Sequence, residues 1–278
     1  MAGIFIFLIM NFVKTNLEIY LPALVDLIDF SDFPWDKIDR LFSEKLKQRT
    51  KESKGETIRV EACVYDIIVG AIEGNKMAIG LLDFLNKLFE DLTDTLTQPE
   101  KVLVRSNAKS MLKAFDAKYR NFVGEMAVLN NIIKSGDRRL SGIEYKLPNG
   151  KSIDFKIVQT AKNEQLLIEI VNIHLDADRV ENNAIAIKKF LTNKLSAKMA
   201  DKKLGLDDDI VIYLVPVLWG GWKEIKVYSD FYKNNQISIE NVKEPFALLQ
   251  YNDRVNYYVH HFKAVSHLFD REVRKNEN

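Results

Sequence analysis

Two acidic residues, Asp154 and Glu169, stand inside neighbouring apolar stretches, Ser-Ile-Asp-Phe-Lys-Ile-Val at 152–158 and Leu-Leu-Ile-Glu-Ile-Val-Asn at 166–172. A carboxylate within an apolar strand is costly to bury unless a metal ion or a base pairs with it. A short polar loop at 160–164 separates the two runs, so they read as a hairpin that sets the carboxylates side by side. Such a pair is either the chemistry of a divalent-cation site or two ordinary outward residues of a half-exposed hairpin. All-oxygen ligands suit Mg2+ or Mn2+ and argue against zinc.

The elements that must position this pair follow from periodicity. Apolar stripes at helical spacing predict helices over 17–30, 35–47, 58–73, 76–96 and 101–135, with an exposed polar loop at 48–56. The texture changes after Gly136. Asn149-Gly150 between the runs 141–147 and 151–158 is a hairpin signature, because it supplies the positive-φ positions of a tight turn. A third strand is expected at 165–173 and a helix at 181–203. A nearly continuous apolar run at 209–217 reads as a strand buried on both faces. A short run at 224–228 follows, and the end, rich in Tyr and His, reads as helix. The expected class is therefore α/β, with an all-helical N-terminal region over 1–100 ahead of a mixed-sheet domain over 101–278.

Over residues 110–220, the order helix, strand, strand, strand, helix, strand, carrying these acids, resembles the PD-(D/E)XK nuclease superfamily. That group includes restriction endonucleases, junction resolvases and recombination exonucleases. The resemblance implies a restriction-endonuclease-like core, a mixed sheet flanked by helices. It matches Glu125 in Phe-Val-Gly-Glu-Met-Ala to the family's helix acid, Asp154 to its second-strand acid and Glu169 to its third-strand acid. These three would hold one or two Mg2+ (or Mn2+) for phosphodiester hydrolysis, with DNA ahead of RNA as substrate and a restriction or phage-defence role. Ile153 stands where many members have proline. Val171 stands where the family has its lysine, and that implies either a substitute base or a catalytically silent descendant binding nucleic acid or a protein.

Helical projection offers substitutes. Ala184, Ile187, Leu191 and Leu195 define the inward face of the 181–203 helix, Lys198 falls within that stripe, and Lys194 and Lys188 flank it. Lys198 or Lys194 could thus reach a scissile phosphate, or both could extend to water near the helix end. Lys156 shares a strand face with Asp154 and ranks behind them. Glu125 lies on the flank of the apolar face set by Phe115, Tyr119, Phe122, Met126, Leu129 and Ile133, either as a metal-site acid or as a boundary glutamate paired with a lysine.

The 278 residues carry 40 basic and 39 acidic side chains, so the net charge predicts neither nucleic-acid affinity nor its absence. A single cysteine, Cys63, excludes an intramolecular disulfide framework and fits a cytoplasmic protein. The apolar start lacks a basic leader and is shorter than the roughly 20 residues of a membrane helix. It is expected to be buried, or, over residues 1–9, an over-extension of a frame opening at Met10. The His260, His261 and His267 cluster lacks a metal-ligand frame. His174, five residues past Glu169 and closer to the proposed site, is a further candidate base, and Trp219-Gly-Gly-Trp222 reads as a hydrophobic anchor or a base-stacking pair. The basic run at 45–54 could contact phosphate. A homodimer is among the assemblies the sequence leaves open. A third reading, a helical interaction protein with an unrelated hairpin, requires that the three acids not converge.

Overall fold

In the computed structural model, residues 12–52, 63–175, 183–252 and 258–270 are described. The chain divides into two units, with the boundary at Val123/Gly124. Among the described residues no helix is long and apolar enough to cross a membrane.

The first unit is helical: α1 Phe12–Tyr20, α2 Pro22–Leu27, α3 Trp35–Glu52, α4 Val64–Ile72, α5 Lys76–Thr95 and α6 Gln98–Lys113. Side-chain caps fix several starts. Asn75 accepts from the Met77 amide at 3.0 Å to open α5, and Glu100 accepts from the Thr97 amide at 2.7 Å to open α6. Leu17, Leu24, Ile68, Leu82, Leu85 and Phe89 form the centre of its core. Three expectations need correction here. The 17–30 helix is interrupted because Pro22 has no N–H to continue α1 and opens α2 instead. The segment 48–56 is not simply a loop: α3 continues to Glu52, since Gln, Arg, Lys and Glu are polar yet good helix formers. The 101–135 helix is two helices, α6 and α7 (Tyr119–Ile133). Between them Asp116 accepts from the Lys118 amide at 3.0 Å, an Asx turn that competes with helix.

The second unit takes α7 from Gly124 onward and builds a six-stranded mixed sheet in the order β1 (Arg138–Lys146), β2 (Ser152–Gln159), β3 (Glu164–His174), β4 (Ile212–Trp219), β5 (Phe246–Asn252), β6 (Tyr258–Ala264). The pairs β1/β2 and β2/β3 are antiparallel, whereas β3/β4 and β4/β5 are parallel. The parallel β3/β4 pair requires a crossover, supplied by α8 (Ala184–Lys203). The C-terminal helix expected from the Tyr- and His-rich end is instead β5, β6 and a short 3-10 turn, since aromatic and β-branched residues suit a pleated surface. The run at 224–228 lies within α9 (Trp222–Asn234), whose Ile225, Tyr228 and Phe231 repeat at helical spacing.

Each sheet face has its own helix. Ile187, Leu191 and Leu195 of α8 share a core with Val171 and Ile173 of β3 and with Ile212, Leu214 and Leu218 of β4. On the other face α7 approaches closely at Gly124, where a Cβ would come within 3.0 Å of Asn172 Oδ1 and of the Trp219 ring. The β1–β2 turn, with Gly150 at φ 81°, does more than reverse the chain. Asn149 Nδ2 donates to the Lys202 and Leu204 carbonyls, each at 2.9 Å, and thereby caps the end of α8. Lys151 also reaches Asp201 of α8. We expect Asn149→Ala to lower unfolding free energy by about 1–2 kcal/mol in urea melts, as the loss of two hydrogen bonds to helix-end carbonyls would.

Candidate active site

The ladder between β2 and β3 runs from Gln159↔Glu164 to Phe155↔Ile168. One step beyond the last pair stand Asp154 and Glu169. There the Asp154 side chain replaces a main-chain partner: its Oδ2 accepts from the Ile170 amide at 2.5 Å. Glu169 is 3% exposed. Its Oε1 meets Lys198 Nζ at 2.8 Å and Lys202 Nζ at 3.0 Å, both from α8. Lys202 also donates to the Ser152 carbonyl, so one ammonium joins β2, β3 and α8. Glu169 Oε2 is buried and has no hydrogen-bond partner among the described residues.

Burial, reinforced by the Glu169 charge, pushes the Asp154 carboxyl up to about 7; the Ile170 amide acts in the opposite sense, Glu144 adds to the rise and Lys202 opposes it. Glu144 belongs to β1 and falls between the pairs Ile143↔Phe155 and Tyr145↔Ile153, with a positive φ of 48°.

Of the sequence-derived residues, the structure brings Asp154, Glu169 and Lys198 together. Lys194 is exposed and stands 6.0 Å from the Phe190 ring centroid on its own helix, not at Glu169. Lys156 lies over the Tyr145 ring at 4.5 Å. Val171 is part of the apolar core under α8. Glu125 is half-buried on α7, the helix on the face carrying Asn172 and Trp219; β3 alternation puts Glu169 on the other face. Among the described residues no three His, Cys, Asp or Glu side chains form a group able to hold a metal ion. Two residues escaped the sequence reading. Lys202 continues the stripe of Leu191, Leu195 and Lys198 by one more turn, and Glu144 follows from the register that the Asn149-Gly150 turn imposes, 146↔152 and 145↔153. Both signals were present in the spacing.

Two carboxylates share one corner, and one oxygen of the pair, Glu169 Oε2, is orphaned among the described residues. The other candidates have separate roles. His267 Nδ1 sits 3.0 Å from Asp270 Oδ2 on the surface, the His174 ring stacks on Trp219, and Trp219 Nε1 donates to Asn172 Oδ1 at 2.8 Å. Of the basic run at 45–54, residues 53–54 lie outside the described residues, as do residues 1–9. Compared with protein-family models, with curated proteins and with solved structures, the chain matches none.

A carboxyl raised from 3.8 to about 7 favours the fold while protonated, and that contribution is lost as pH rises from about 4 through 7. In EDTA we therefore expect Asp154→Asn, which keeps an acceptor for the Ile170 amide, to melt higher than the parent at pH 8 and to show no gain at pH 4. Equal melting shifts at both pH values would contradict the assignment.

Proposed function

We propose that the second unit is a Mg2+- or Mn2+-dependent nuclease of the PD-(D/E)XK kind, acting on DNA ahead of RNA. The observation that carries the reading is the corner where β2 and β3 part: Asp154 and Glu169 adjacent, with lysines delivered from the following helix. Its support in the fold is the order α7, β1, β2, β3, α8, β4 within one mixed sheet. The position left vacant of lysine by Val171 is then served from α8.

The two lysines divide the work. The Lys202 side chain is 12% exposed and is engaged by both Glu169 and Ser152, so it orients Glu169. The Lys198 side chain is 35% exposed and reaches Glu169 alone among the described partners, so it can turn to a phosphate oxygen and offset charge that develops there. Asp154 and Glu169 would hold the metal ion, which when bound polarises the phosphoryl group and lowers the pKa of water. Glu125, on the other face, is assigned no ligand role in this reading.

One observation favours a second reading, a silent nuclease-like module that binds nucleic acid or a protein. Glu169 Oε1 is already occupied by two ammonium groups, and among the described residues no third His, Cys, Asp or Glu completes a metal-holding group with the pair. Cleavage of plasmid, single-stranded DNA and RNA with Mg2+ or Mn2+ separates the two. The nuclease reading requires cutting that vanishes in Asp154→Ala/Glu169→Ala; its absence from a folded parent on every substrate selects the silent module. We further expect Lys198→Met to reduce cleavage about 100-fold or more with a stability loss under about 1 kcal/mol. Lys202→Met should instead lower stability by about 2–3 kcal/mol, because it strips a buried carboxylate of its better-shielded partner.

A further inference from the structure

The second unit holds a cavity of about 520 Å³ on the sheet face away from Glu169. Leu166, Ile168, Tyr213 and Val215 provide its floor, and Val128 and Ile132 of α7 border it. Strand alternation separates it from the acid pair: Leu166 and Ile168 point opposite to Glu169, and Tyr213 and Val215 opposite to Leu214. Its volume falls within the range of small-molecule sites, about 300–1,000 Å³.

Three observations specify what would fill it. Arg138 lines the cavity, and its Nε is buried without a hydrogen-bond partner among the described residues. A guanidinium N–H withdrawn from water calls for an acceptor, and an anion is the strongest one. Lys243, also lining the cavity, stands 4.7 Å from the Tyr213 ring centroid, so a second cation and an aromatic ring meet there; the exposed Glu164 and Glu244 line it as well and balance the formal charge, so the buried Arg138 Nε is the point that calls for an acceptor. Gln159 pairs with Arg138 on one side and Glu164 on the other, which sets an amide beside the guanidinium; α7 contributes a second amide, Asn131. Amides offer donors and acceptors together, as the edge of a heterocycle requires.

We propose that this cavity binds a planar organic anion of mononucleotide size, with its anionic group on Arg138 and its ring over the apolar floor beside Tyr213. The site is independent of the acid pair and of the nuclease reading. The test is a titration of the full chain, in EDTA, with the fluorescent sulfonate 8-anilinonaphthalene-1-sulfonate, followed by competition with AMP, GMP, CMP and UMP. We expect one saturable site for the dye. Displacement by a mononucleotide would identify a nucleotide site; no displacement would assign the cavity to another planar organic anion. Arg138→Gln should weaken dye binding at least tenfold, and Ile132→Trp, which fills the cavity from α7, should abolish it. Asp154→Asn should leave it unchanged. The proposal is overturned if no saturable binding occurs, if both cavity variants bind within twofold of the parent while melting as folded proteins, or if Asp154→Asn removes binding and so places the dye at the acid pair.

Discussion

Glu169 is a charge held almost wholly out of water on a strand with neighbours on both sides, and it sets terms for everything around it. A carboxylate so placed must meet cations or give up its charge. The cations come from α8, and that requirement fixes how α8 is turned. Lys198 and Lys202 are one helical turn apart, and they extend the stripe on which Leu191 and Leu195 enter the core. The same face of one helix is thus apolar at its start and cationic at its end, with lysine stems lying along the apolar surface and ammonium groups at the carboxylate.

Two further constraints follow from that corner. The β2–β3 ladder stops at Phe155↔Ile168, and the Ile170 amide is satisfied by a side chain rather than by the main chain. Asp154 therefore does structural work while sitting beside a like charge that disfavours its ionisation. An asparagine there would keep an acceptor for the Ile170 amide without adding a second negative charge beside Glu169.

The parts that could be read from the chain were those with local causes. The β1–β2 hairpin follows from Asn149-Gly150, the crossover helix from its Leu/Ile stripe, and β4 from its unbroken apolar run. The parts that could not be read were decided by short-range polar competition or by tertiary context. Asp116 breaks what periodicity alone presents as one helix, and Pro22 restarts another. The strands β5 and β6 combine aromatic and polar residues whose role depends on neighbours far away in sequence. At the site, residue types pointed to Asp154, Glu169 and Lys198, and Lys202 lies on the same stripe of α8 one turn beyond Lys198, whereas Lys194 lies off it on the exposed flank. The placement of Glu125 on the other face depended on which side of the sheet α7 covers, a choice that amphipathicity leaves undetermined.

The tie between the hairpin tip and the end of α8 also bears on the order in which the structure assembles. The hairpin closes over a few residues, but Asn149 reaches a carbonyl 53 positions away and Lys202 reaches Ser152 across 50. Long loops close slowly relative to local ones, because chain entropy is lost before the contact rewards it. The hairpin, with Asp154 already placed, can form while the lysines are still distant. During that interval the Glu169 carboxylate has no counter-charge and favours staying in water, which delays burial of the corner until α8 docks. The pairing of Glu169 is thus complete only with α8 docked in the rotation that brings both ammonium groups to it.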